Sequence, residues 1–155
     1  MKRLPFLNPI LSAAGLVPAV LIATALAYPQ AASADTGKAS LTVTVTDIVD
    51  HKGAISFGVF DEAGYDADKA VNGGMIPVTG DTASLTLELP PGRYGIKLFH
   101  DVDGDGKMGM NPFGMPTEPY AFSNSAPAQF GPAKWDAAAF DVAAPATSHI
   151  IKLTR

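Results

Sequence analysis

The chain has 155 residues, enough for one domain, with 47% hydrophobic and only 17% charged residues and a formal charge of −4. This acidic balance excludes the basic surface needed to bind nucleic-acid phosphates. The lack of cysteine excludes disulfides, thiolate metal centres, cysteine nucleophiles and a lipidated amino-terminal cysteine.

Lys2 and Arg3 form a short basic segment, and the stretch from Ile10 to Tyr28 carries no charge. Ala32-Ser33-Ala34 then supplies a small-x-small pattern. Together these read as a secretory signal peptide, residues 1–34, cut before Asp35. The competing reading is an uncleaved membrane anchor, but Gly15, Pro18 and the many alanines make a poor spanning helix. The leader has no twin-arginine pair, which favours the general secretion route, and export is expected to place residues 35–155 in the periplasm or the medium, with no stable span left after cleavage. Cleavage removes two cations and no acid, so the remaining domain is more acidic and favours cations over polyanions.

Leu41, Val43 and Val45 alternate with Thr42, Thr44 and Thr46, which predicts a half-buried strand over 40–48. After a turn at 50–53, Ile55, Phe57 and Val59 alternate again, and the pair is expected to form a hairpin. The stretch 61–82 is polar and glycine-bearing, with at most a helical turn near 66–71. Leu85, Leu87 and Leu89 predict a third strand, and Pro90-Pro91-Gly92 a turn. Tyr94, Ile96 and Leu98 carry a fourth strand through to His100, and two short strands over 139–142 and 148–153 close the chain. No apolar segment of helical period and length follows residue 35. These elements predict an all-β domain, a single antiparallel β-sandwich of transthyretin-like or immunoglobulin-like kind, with a small β-barrel as the alternative.

The segment 101–136 is too long and irregular for an ordinary connection, and its aromatic residues argue that it is ordered. Its first part, Asp101-Val102-Asp103-Gly104-Asp105-Gly106-Lys107, places three carboxylates at alternate positions. In a calcium-type loop, Asp101, Asp103 and Asp105 take ligand positions one, three and five, and the Lys107 carbonyl position seven. Position nine is Gly109 and position twelve is Pro112, so Asn111, Glu118 or water would have to complete the shell. The competing reading is a tight Asx-type turn with no ion. Met108, Met110 and Met115 with His100 suggest a soft-metal, copper-binding alternative. An envelope hydrolase is the third reading, using Asp101, Glu118 or Asp136, or Ser123 or Ser125 with His51, His100 or His149. No G-x-S-x-G elbow supports it, and no catalytic residue is assigned. Phe113, Glu118, Tyr120 and Phe122 form a candidate recognition surface for an envelope protein, peptide or glycan.

The runs His100-Asp101-Val102-Asp103-Gly104-Asp105-Gly106-Lys107-Met108 and Phe113-Gly114-Met115-Pro116-Thr117-Glu118-Pro119-Tyr120-Ala121-Phe122-Ser123-Asn124 resemble an exported bacterial family. That family is catalogued only as a domain of unknown function, with H-D-x-[ND]-x-[ND]-G-K-[LM] and F-G-x-P-x-E-x-[YF]-x-F-S-N signatures. The Leu89-Pro90-Pro91-Gly92-Arg93-Tyr94 turn fits as well, and it is also similar to transthyretin-like and carboxypeptidase-regulatory-like sandwiches. The resemblance implies an exported β-sandwich and no particular activity. Where the family commonly has an acidic residue two positions after the lysine, this chain has Gly109. The function expected is thus a non-enzymatic binding or accessory module of the envelope, with calcium as its candidate cofactor. Amino-terminal sequencing of the exported protein is expected to begin at Asp35; a chain beginning at Met1 would mean that the leader is kept as an anchor.

Overall fold

The computed structural model describes residues 37–154; the expected leader and Arg155 lie outside the described residues. In chain order the elements are β1 (Ala39–Thr46), β2 (Ala54–Phe60), α1 (Glu62–Tyr65), β3 (Asn72–Pro77), β4 (Ala83–Leu89) and β5 (Gly92–Asp101). β6 (Tyr120–Phe122), a single 3-10 turn (Ser123–Ser125), α2 (Trp135–Ala138), β7 (Phe140–Val142) and β8 (Ala146–Lys152) complete the chain. No helix among the described residues is long and apolar enough to cross a membrane.

The strands form a β-sandwich of two open sheets rather than a closed barrel. One sheet has the order β4-β1-β8, and the other β3-β2-β5-β6 with β7 also paired to β5. The period-two pattern explains the core. Leu41, Val43 and Val45 of β1 face Ile55 and Val59 of β2 and Ile96 and Leu98 of β5, with Ile151 of β8 joining them. β1 is the central strand of its sheet, opposing Leu85 of β4 and His149 of β8 at Val43. The β1–β8 pairing is parallel, while the other pairings are antiparallel.

Three local expectations are corrected. β1 and β2 do not form a hairpin; they lie in different sheets. Each presents one fully apolar face, and both faces are buried only when set against each other across the core. The connection between them therefore crosses from sheet to sheet instead of turning back. Gly53, at φ +69°, lies so close to the end of β5 that a Cβ there would run into the Asp101 carbonyl. The stretch 61–82 is not simply a loop, since it holds α1 and the edge strand β3. α1 starts at Asp61, whose side chain accepts the Gly64 N–H at 2.7 Å as a helix cap. β3 was hidden because Asn72-Gly73-Gly74 has no alternation, and only Ile76 is buried. The long segment after β5 likewise contains β6, the 3-10 turn and the start of α2, each too short to show a period.

β5 is buried on both faces. Its core face is Tyr94, Ile96, Leu98 and His100, while Gly95 and Lys97 look the other way. There Phe60, Tyr65, Phe122 and Trp135 form a second cluster under α1 and α2. Tyr65 meets Phe60 and Trp135 edge-on, with centroids 5.8 and 5.5 Å apart. Lys97 donates to the Tyr65 carbonyl at 2.7 Å and to Asp68 at 3.0 Å, and its ammonium lies 4.6 Å from both the Phe60 and Tyr65 rings. Burial, reinforced by the charge of Asp66, pushes the Tyr65 hydroxyl up to about 12, so it stays neutral. A Cβ on Gly95 would lie 2.8 Å from Tyr65 Cε2 and 3.2 Å from Trp135 Cζ3. Gly95→Ala is therefore expected to cost about 1–3 kcal/mol in urea denaturation through overpacking. A cost near zero would show that the second cluster can give way.

Candidate functional site

β5 leaves its sheet at Asp101, whose side chain is fully buried. Its carboxylate is turned back onto the chain that follows. Oδ1 accepts the N–H of Gly104 at 2.7 Å and of Asp105 at 3.1 Å, and Oδ2 accepts that of Gly106 at 2.9 Å. Asp103 and Asp105 repeat this on a smaller scale, accepting the N–H of Asp105 at 3.2 Å and of Lys107 at 2.8 Å. Gly104 and Gly106, at φ +78° and +76°, allow the chain to coil around these oxygens. Asp101, Asp103 and Asp105 can each offer an oxygen within 4.8 Å of the others, and Asp103 and Asp105 are exposed. None of the three makes an ion pair among the described residues.

Magnitudes decide how such a cluster stands. Two like charges about 4 Å apart repel by about 1 kcal/mol in water, whereas hydrogen bonds to charged groups contribute about 1.5–3 kcal/mol each. The backbone N–H groups thus outweigh the repulsion and hold the turn in shape. Glu118 closes it. Its Oε1 accepts the Val102 N–H at 2.8 Å and its Oε2 the Gly109 N–H at 2.9 Å, tying the two ends of the turn to one half-buried side chain. Glu118 is therefore a clamp of the loop rather than part of an outward recognition surface.

Beyond Gly109 the chain makes a small hairpin. Met110 bridges to Pro116, Thr117 donates to the Gly109 carbonyl at 2.8 Å, and Asn111 N–H donates to the Met115 carbonyl at 2.9 Å. The Asn111 side chain accepts the N–H groups of Phe113 at 2.9 Å and Met115 at 3.0 Å, so the tip is ordered by its own polar groups. It displays Phe113, 87% exposed, with Met110 and Met115 each at 57%. The expected aromatic platform is corrected accordingly. Phe122 is a member of the second cluster, and Tyr120 is half-buried against it with ring centroids 5.9 Å apart. Of the three aromatics, Phe113 alone is exposed, and Met110 and Met115 are its exposed neighbours in the tip.

Several residues weighed for the soft-metal and hydrolase readings are committed to other partners. His100 is buried; its Nε2–H donates to the Lys52 carbonyl at 2.7 Å. Met110 and Met115 are exposed and, by the bridge pairing, point to opposite faces of the hairpin. Ser123 is buried, where its Oγ accepts the Ile96 N–H at 2.9 Å and donates to the Ala138 carbonyl, so it staples β5 to α2. Ser125 is exposed, as is Asp136 in the first turn of α2. His149 stacks on Phe140 at 3.9 Å and accepts the Asn124 N–H at 3.2 Å; burial lowers its pKa, keeping the ring neutral. His51 pairs with Asp81 at 2.7 Å on the surface. Sequence reasoning missed Asn124, which sits at φ 59° and donates to the carbonyls of Ala137 at 3.1 Å and Ala139 at 2.9 Å. Its signal was the tolerance of asparagine for the left-handed region.

The fold and site define a class: a small all-β sandwich carrying one long loop that is held in shape by its own carboxylates. The chain belongs to the bacterial family described as "Uncharacterized protein conserved in bacteria (DUF2141)", whose model matches residues 43–150. No curated protein and no solved structure matches it. Replacing Glu118 by Ala leaves two amide groups without their acceptor, at about 1–3 kcal/mol each where they stay buried. Hydrogen exchange is expected to accelerate at Val102 and Gly109 while the β1 and β2 amides keep their protection; unchanged exchange at both loop amides would show that Glu118 is not the clamp.

Proposed function

We propose that the protein is an exported, non-enzymatic binding or accessory module of the bacterial envelope, with residues 1–34 as its cleaved leader and 35–155 as its single domain. Its Asp101–Lys107 turn takes a calcium-type cation. The observation that carries this reading is the convergence of Asp101, Asp103 and Asp105 oxygens within 4.8 Å, with no ion-pair partner for any of them among the described residues. Three carboxylates with the Lys107 carbonyl make an all-oxygen set, which suits a hard cation. The exposed Asp103 and Asp105 leave the approach open to water, and water completes the shell where Gly109 and Pro112 supply no side-chain oxygen.

A cation there stiffens the root of the hairpin, because Gly109 is joined to the turn through Glu118. The hairpin tip, led by the exposed Phe113 with one methionine on each face, is the contact surface for an envelope protein, peptide or glycan. The H-D-x-D-x-D-G-K and F-G-x-P-x-E-x-Y-x-F-S-N runs are the family's loop signatures in this reading, and the described hydrogen bonds give them a common purpose in shaping that loop.

Thermal melts in EDTA and then in millimolar calcium or magnesium test the proposal. Binding to the native state alone adds about 2.7 kcal/mol at a hundredfold excess over Kd. A calcium-selective rise in Tm that disappears in Asp103→Ala is expected. The same Tm in EDTA and in calcium would make the turn a purely backbone-held structure and overturn the cation site.

A further inference from the structure

A cleft of about 500 Å³ opens at the start of β5, the opposite end from the acidic turn. Its apolar lining is Leu89, Pro90, Tyr94 and Val71, and two charged side chains of opposite sign join them, Asp61 and Arg93. Neither is in an ion pair among the described residues, with each other or with anything else. Both are held in place. Asp61 caps α1 through one oxygen, leaving its second oxygen for another donor. Arg93 Cζ lies 5.9 Å from the centroid of the Trp135 ring, and among the described residues its N–H groups donate to no acceptor. The Tyr94 hydroxyl is already committed to the Pro90 carbonyl at 2.9 Å, so the cleft's recognition rests on the two charges.

We infer that this cleft binds a small zwitterion, an amino acid or short peptide carrying a carboxylate, an ammonium group and an apolar side chain. The guanidinium edge takes the carboxylate in a bidentate arrangement, the free Asp61 oxygen takes the ammonium, and the apolar side chain covers Leu89 and Tyr94. Charge decides between ligand classes. A simple anion satisfies Arg93 but meets the Asp61 carboxylate, and a simple cation satisfies Asp61 but meets the guanidinium. A zwitterion satisfies both and leaves neither charge opposed. The cleft's volume falls within the range of small-molecule sites, about 300–1,000 Å³. The site shares no residue with the cation turn and stands whether or not that turn binds calcium.

The test is titration of the exported protein with L-leucine and glycyl-L-leucine, followed by amide chemical shifts at Gly92–Tyr94 and by calorimetry. N-acetyl-L-leucine keeps only the negative charge, and L-leucinamide only the positive one. Saturable binding of at least one zwitterion is expected, with each blocked compound weaker by about tenfold or more, as is the zwitterion on Arg93→Gln. Asp61→Asn keeps the helix cap, since asparagine caps as well as aspartate, so its loss of binding is read on a folded α1. An unchanged Tm in Arg93→Gln and Asp61→Asn confirms that both variants are folded. Absence of saturation by either zwitterion up to about 10 mM overturns the inference, as does equal binding of the blocked and unblocked compounds.

Discussion

β5 runs from Gly92 to Asp101 through the larger sheet and is covered on both sides, and nearly everything else in the molecule depends on that double burial. One face supplies Ile96 and Leu98 to the core between the sheets; the other lays Gly95 under Tyr65 and Trp135. A strand buried on only one face would leave α1 and α2 with nothing to pack on. The strand is also shared in length: β2 pairs along most of it, β7 along Gly92–Tyr94 and β6 along Lys97–Phe99. Its two ends consequently become the two places where chemistry gathers, Asp61 and Arg93 at the start and the carboxylate turn at the finish.

The long connection after β5 shows how a loop without regular structure is kept ordered. Asp101 and Glu118 together accept five backbone N–H groups, the work that a helix or sheet would do elsewhere. Asn111 does the same for the hairpin tip, and Ser123 and Asn124 fasten the far end to β5 and α2. Polar residues that looked like candidate ligands or catalysts in the sequence are thus largely spent on backbone groups. Outward among others are Asp103 and Asp105 at the turn, Met110, Phe113 and Met115 at the tip, and Phe130 further along.

The contrast between Phe113 and Phe122 shows why the recognition surface was only partly legible. Both are aromatic residues in an irregular, proline-rich stretch, and nothing local distinguishes them. Phe122 is buried because β6 pairs with β5 and carries it under Trp135; Phe113 sits in a turn that Asn111 closes locally, and it is exposed. Burial here follows from strand pairing at long range, which composition and spacing do not encode. The same holds for β3, an edge strand whose glycines suit its close approach to the Phe57 carbonyl and remove any pattern.

By itself the sequence determined the all-β class, the positions of β1, β2, β4 and β5, the inward side of each, and the Asp-Gly turn at the end of β5. These follow from period-two alternation and from the turn chemistry of aspartate and glycine, which act over a few residues. Tertiary structure alone decided that β1 and β2 belong to opposite sheets, that β8 runs parallel to β1, that Glu118 clamps the turn and that Asp61 and Arg93 share a cleft. Each of these joins groups far apart in the chain. An apolar face can record that it must be buried, but the partner that covers it is chosen only when the whole core closes.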